Sequence, residues 1–167
     1  MAASSTARNS TTPSLSSERF VEVSPSRALG VDFGQKRIGM AVSDPTNTLA
    51  TPLDTLVRRA GKRPPIKQMA DIASELDVGH LIVGLPIALD GSENEWCAEV
   101  RDMASKLAQR MGVPVAFIDE RMTSVRAERA VRSAGLSKTN REQKGRIDAA
   151  AAQLILQAWL DNPEVAR

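Results

Sequence analysis

The stretch ALGVDFGQKRIGMAVS, residues 28–43, decides the fold class. Its two apolar runs, Ala28–Phe33 and Ile38–Ser43, flank the polar turn Gly34-Gln35-Lys36-Arg37, the pattern of a β-hairpin. One acid, Asp32, interrupts the first run. Strand alternation sends its side chain to the face opposite Val31 and Phe33. A carboxylate in an apolar strand is costly unless it is paired or coordinates a cation. Alone, Asp32 can be read as a cap on the Gly34 turn or as a ligand.

Downstream of the hairpin the pattern predicts a third strand near Leu49–Leu53, placed at an edge by Pro52. A basic Pro-Pro loop leads to a helix at about Ile66–Leu76. His80–Val83, bounded by Gly79 and Gly84, reads as a buried parallel strand. Trp96, Val100, Met103 and Leu107 give Glu93–Arg110 a helical stripe. Val115–Ile118 is another buried strand, followed by a helix over about Ser124–Ser133 that Gly135 ends. Thr139-x-x-Glu142 fits a capping box for a last helix running through Ile147, Ala151, Leu154 and Ala158 to about Leu160. Three strands, then alternating helices and strands, imply an α/β fold with a mixed central sheet flanked by helices. The domain is expected over 28–161, with 162–167 as a C-terminal tail. Residues 1–27, rich in Ser, Thr and Ala, read as a disordered tail, and share some features with an organellar transit peptide.

Composition narrows the function. The 167 residues form one domain's length of chain, 42% apolar and 25% charged, ordinary for a soluble globular protein. Aromatics make up 3% and Tyr is absent, which argues against a module that stacks single-stranded bases on aromatic platforms. The single cysteine, Cys97, excludes an internal disulfide and a cysteine zinc site. As a nucleophile it would need the only histidine, His80, and its place in a helical pattern reads as packing. No apolar run approaches the ~18 residues of a membrane span, so a cytoplasmic protein with no membrane partner is expected.

The net charge of +2 conceals two basic stretches. Residues 58–67 carry Arg58, Arg59, Lys62, Arg63 and Lys67 with no acid. Residues 121–146 carry Arg121, Arg126, Arg129, Arg132, Lys138, Arg141, Lys144 and Arg146 against Glu128 and Glu142. Both are expected to flank an acidic site and bind a polyanion, with Arg126 and Arg129 in its groove.

Three carboxylate positions stand out. Asp32 lies near the end of the first strand. Asp119-Glu120-Arg121 closes the strand Val115–Ile118, at the usual ligand-facing rim of an α/β fold. Alternation allows only one of Asp119 and Glu120 to share a cavity with Asp32; the other would cap a helix or pair with Arg121. Asp148 begins a run of alanines, Ala149–Ala152, that would let the last helix approach the sheet. Acids from two strand ends and one helix are the material of a two-metal phosphodiesterase, binding Mg²⁺ or Mn²⁺ rather than Zn²⁺ because the donors are hard oxygens. Arg121 and Lys144 are candidates to neutralise the phosphate.

Longer strings resemble a known family. GVDFGQKRIGMAVSD (30–44), VGLP (83–86) followed by Asp90-Gly91, DERMTS (119–124) and GRIDAAAAQLILQAWLD (145–161) are similar, in order, to the YqgF family. It is also known as the pre-16S rRNA nuclease or Holliday junction resolvase-like family. The resemblance spans Ala28 to Asp161. It implies an RNase H-like three-layer fold related to the RuvC resolvase, metal-dependent nuclease activity, and a role in maturing the 5′ end of small-subunit ribosomal RNA. It places the family's acids on Asp32, the DER string and Asp148, with Glu120 ahead of Asp119 as ligand. It also places Arg37 against the phosphate backbone, and Gly84-Leu85-Pro86 in a rim loop. Asp90 is read as a turn residue with no catalytic part.

Two other functions fit parts of the pattern. Asp32-x-Gly34 before a hairpin also resembles the phosphate hairpin of actin/hexokinase-type phosphotransferases, but those need a duplicated domain and the chain has no repeat. A non-catalytic ribosome-assembly binder would explain the basic stretches, yet would gain nothing from acids facing phosphates. Precursor ribosomal RNA is the favoured substrate and branched DNA the other. Monomer and homodimer stay open.

Overall fold

The hairpin forms where the sequence predicts it. Strand β1 (Arg27–Phe33) pairs antiparallel with β2 (Arg37–Ser43), and the register sets Gly39 opposite Asp32. The computed structural model describes residues 26–58, 63–122 and 141–166. Gly34 donates its N–H to the Arg37 carbonyl at 2.9 Å, which closes the turn.

On the far side of β2 the sheet edge comes in two pieces. β3 (Ala50–Pro52) pairs with Ala41–Ser43, and β4 (Leu56–Val57) pairs with Arg37 and Ile38. The predicted third strand is therefore an edge strand, as Pro52 requires, and it stops at Pro52. β4 was not predicted, because two residues are too few to show an alternation.

Beyond β1 the chain alternates: α1 (Ile66–Glu75), β5 (Val78–Leu85), α2 (Glu95–Met111), β6 (Val115–Asp119) and, after a single 3₁₀ turn at Glu120–Met122, α3 (Arg141–Asp161). Asn94 caps α2 by accepting the Cys97 N–H at 3.0 Å, and Gly112 ends it in the left-handed conformation. β5 and β6 run parallel to β1, so the order β3-β2-β1-β5-β6 with β4 beside β2 is a mixed six-stranded sheet. This is the RNase H-like arrangement expected. The helix predicted over Ser124–Ser133, the Thr139 cap and the tail before Ser26 lie outside the described residues.

Pleating divides the core in two. Leu29, Val31, Phe33, Ile38, Met40, Leu81, Val83 and Leu85 point to the side of α1 and α2. Ala28, Ala41, Ile82 and Ile118 point to α3, against Ala151, Ala152, Ile155 and Leu156. Side chains on the α3 side are mostly small, so α3 lies close on the sheet. The segment expected as a tail, 162–167, has local structure in its described part. Pro163–Val165 form a 3₁₀ turn capped by Asn162, and Val165 and Ala166 pack on the α3-side cluster.

Candidate active site

Asp32 is the odd member of its face. Ala28 and Gly30 on the same side of β1 carry little or no side chain and admit α3, whereas Asp32 puts a carboxylate there at 5% exposure. Its antiparallel partner Gly39 explains the space around it. A Cβ on Gly39 would lie 2.0 Å from the Asp148 carbonyl oxygen, so only glycine lets α3 cross β2 at that point. The half-buried Asp148 thus sits on the sheet beside Asp32.

The other neighbour of Asp32 is also a glycine. Parallel pairing of β1 and β5 runs to Val31 and Val83, which leaves Gly84 alongside Asp32 one residue further on. A Cβ on Gly84 would lie 2.8 Å from Glu120 Oε1 and 2.4 Å from Ile155 Cδ1. The structure therefore lays a row across five elements: the Asp148 backbone over Gly39, then Asp32, then Gly84 under the Glu120 carboxylate. Gly39 went unremarked in the sequence; a glycine inside a strand is the signal that marks such close approaches.

Asp119 goes elsewhere. It follows Val115 and Phe117 on the α1/α2 side of β6, 3% exposed, and accepts from Arg121 Nη2 at 2.6 Å and Nε at 3.0 and 3.1 Å. It also caps the following turn by accepting the Arg121 N–H at 3.0 Å. This hydrogen bonding holds Arg121 more firmly protonated than an ordinary arginine, helped by the Asp119 charge and, less, by Asp90. Arg121 Nη1 reaches the Leu89 carbonyl at 3.5 Å, so the ion pair fastens the loop after β5 to the strand end that carries Glu120. Asp90 is a turn residue, as read. Its carboxylate accepts the hydroxyl (2.6 Å) and N–H (2.9 Å) of Ser92, which lower its pKa together with the Arg121 charge.

Arg37 starts β2 two residues before Gly39, which by alternation puts it on the α3 side at the same end of the sheet as Asp32. Lys144 falls in the first turn of α3; its side chain, with Arg126 and Arg129, lies outside what is described. The described part of the first basic stretch, Arg58, Arg63 and Lys67, lines a groove on the α1/α2 face instead of the acidic row. The reason is topological: that stretch leads directly into α1, which packs on the face away from α3.

The acids and the glycine cradle suit hard divalent cations in donor chemistry, all-oxygen and without cysteine or histidine. Among the described residues no three such side chains converge closely enough to hold an ion as they stand. The backbone brings Asp32, Glu120 and Asp148 to one patch of sheet.

The family described as "RuvX: Holliday junction resolvase" matches residues 26–162. A relative from Anaeromyxobacter sp. (strain K), named "Putative pre-16S rRNA nuclease", is 43% identical over 135 residues, 81% of this chain and 96% of its own. Relatives of the same name from Picosynechococcus sp. and Mycobacterium leprae (strain Br4923) are 41% and 43% identical, covering 85% and 81% of this chain and 96% and 72% of theirs. Among solved structures the chain is similar to T. thermophilus RuvC in complex with a Holliday junction substrate, at TM-score 0.49 and 18% identity over 85% of this chain and 98% of that one.

Proposed function

The chain belongs to the RuvX Holliday junction resolvase family, and from that membership we propose that it is a divalent-metal-dependent nuclease of the 5′ maturation of pre-16S ribosomal RNA. Asp32, Glu120 and Asp148 are its catalytic acids, and the observation that carries them is the row Asp148–Gly39–Asp32–Gly84–Glu120. Nothing else in the described sheet gathers acids over glycines in this way. Mg²⁺ or Mn²⁺, as a pair of ions, would supply Lewis-acid stabilisation of the attacking and leaving oxygens of the phosphodiester.

The protein's own part is placement. Asp32 is buried, and its backbone position is set by the pairing of β1 with β2. Glu120 lies on a turn whose start is pinned by the Asp119–Arg121 pair. Glu120, not Asp119, is therefore the ligand from the DER string, and Arg121 acts by holding the rim loop rather than by gripping phosphate. Arg37, on the same face, is placed to meet the phosphate backbone. Cytoplasmic location follows from an RNA-precursor substrate; no helix among the described residues is long and apolar enough to cross a membrane.

A four-way DNA junction is the second reading, favoured by the family's description. Incubation of the purified protein with 5′-extended 16S precursor RNA and with a four-way junction, each with Mg²⁺, Mn²⁺ or chelator, decides between them. Metal-dependent trimming of the RNA with the junction left intact is expected. Cleavage of the junction alone would transfer the function to DNA, and cleavage of both substrates in chelator would remove the metal.

A further inference from the structure

Against the face away from the acidic row, α1 and α2 leave a groove of about 830 Å³ between the segment Arg63–Lys67 and the outer side of α2. Its walls carry five cations, Arg58, Arg63, Lys67, Lys106 and Arg110, against two carboxylates, Glu99 and Asp102. That local excess is larger than the net charge of +2 on the whole chain. Both carboxylates are already engaged within the groove, Glu99 by Arg58 and Asp102 by Lys106 at 2.5 Å. Lys67 pairs outward with Asp71 at 2.8 Å. Arg63 and Arg110, both exposed, have no ion-pair partner among the described residues. Two strong cations are thus turned to an open groove whose own acids cannot answer them.

One end of this groove lies at the hairpin turn. Arg58 donates its N–H to the Lys36 carbonyl at 2.9 Å, in the hairpin turn that follows Asp32. Its guanidinium is fixed at that end by Glu99 and by the Trp96 ring, 5.4 Å from the centroid. From Glu99 to Arg110 the groove follows α2 for about 16 Å at the helical rise. A duplex presents roughly one phosphate charge per 1.7 Å of axis, so a stretch this long offers on the order of nine anions.

We propose that this groove is a second nucleic-acid contact, which holds the backbone of the substrate beyond the cleavage site as it passes from the hairpin along α2. The inference rests on the nuclease reading for its substrate class, and it concerns affinity, not chemistry. Phosphate contacts of this kind position a nucleic acid without reading its bases. Its consequence is a length dependence: substrates that reach the groove bind more tightly and more salt-sensitively than those that end at the acids.

The test uses fluorescence anisotropy of labelled RNA duplexes of about 10 and about 30 base pairs, with the intact protein and an Arg63→Glu/Arg110→Glu variant, over a salt titration. Both positions are exposed, and circular dichroism of the variant checks that the fold is kept. On the long duplex, which reaches from the acids into the groove, the slope of log K against log salt should fall by about two, one per lost contact, and on the short duplex by less. Equal slopes for variant and intact protein on both duplexes overturn the proposal and leave the groove to a protein partner. Cleavage of 5′-extended 16S precursor RNA by the intact protein, followed in parallel, separates the two readings. A slope change without any cleavage would sink the nuclease and spare the groove, whereas cleavage with no slope change would sink the groove alone.

Discussion

Asp119 and Glu120 are adjacent, yet Asp119 ends β6 on its α1/α2 side while Glu120, opening the 3₁₀ turn, lies against Gly84. Asp119 is spent on Arg121, and Glu120 lies over Gly84 in line with Asp32. Glu120→Gln, which keeps the shape and removes the charge, should lower the cleavage rate by more than about 100-fold. Groups that only orient a ligand typically account for 10–100-fold, and Asp119→Asn should fall in that range with the metal requirement kept. Single-turnover rates at saturating metal check both; a larger loss for Asp119→Asn would reverse the assignment. Another acid makes a purely structural prediction. At the end of β2, Asp44 accepts the N–H groups of Leu49 (2.8 Å), Thr48 (2.7 Å) and Thr46 (3.2 Å) and the Thr46 hydroxyl. The Leu49 amide, then the Thr46 hydroxyl and Thr48 amide, hold its pKa far below the ordinary 3.8. A depressed folded pKa contributes stability that is complete above the unfolded value and is lost only as pH falls through the folded one. A carboxyl NMR titration should therefore show Asp44 still ionised below pH 3.8; an ordinary midpoint would refute the loop's hydrogen bonding.

At the scale of elements, the strands and helices with a clear period were legible. Alternation in Ala28–Phe33 and Ile38–Ser43, the glycine-bounded run before Gly84, and the stripe of Trp96, Val100, Met103 and Leu107 each correspond to an element within a residue or a few. The three acids drew the reading because an acid inside an apolar strand, at a strand end or on an alanine-rich helix face calls for a partner. Less legible was what lies between elements. Nothing in one strand's sequence states which residue will face it, so the Asp32–Gly39 pair and the Gly84–Glu120 contact emerge only from the register. The Asp44 loop had a signal in Asp44-Pro45 and Asn47, turn residues whose side chains bond nearby amides, but its hydrogen bonds depend on the closed loop. Edge protection is a similar case. Gln157 accepts the Ala50 N–H at 3.0 Å and donates to the Thr48 carbonyl at 3.0 Å, while Gln153 donates to the Ala50 carbonyl at 2.9 Å. One turn of α3 thereby satisfies the outer side of β3, which would otherwise be open to pairing with another chain. Gln157→Ala should cost about 1–2 kcal/mol and speed amide exchange at Ala50. Unaltered exchange there would show the edge to be held by something else.

For the whole molecule, the two faces of one sheet are built differently. On the α3 side small residues bring a helix onto the sheet and leave room for acids; on the α1/α2 side large residues build the main core and support a basic groove. Binding of Mg²⁺ to the native state alone should raise the melting temperature, by the equivalent of about 1.4 kcal/mol at ten times Kd, and should not do so for Asp32→Asn. An equal rise in both proteins would place the ion elsewhere. The acidic row itself is tested most directly by the cleavage rate of 5′-extended 16S precursor RNA in Mg²⁺, measured under single-turnover conditions for the intact protein and for Asp32→Asn at matched binding. The row predicts that Asp32→Asn binds the RNA and loses cleavage by more than about 100-fold; equal rates for the two proteins would contradict it.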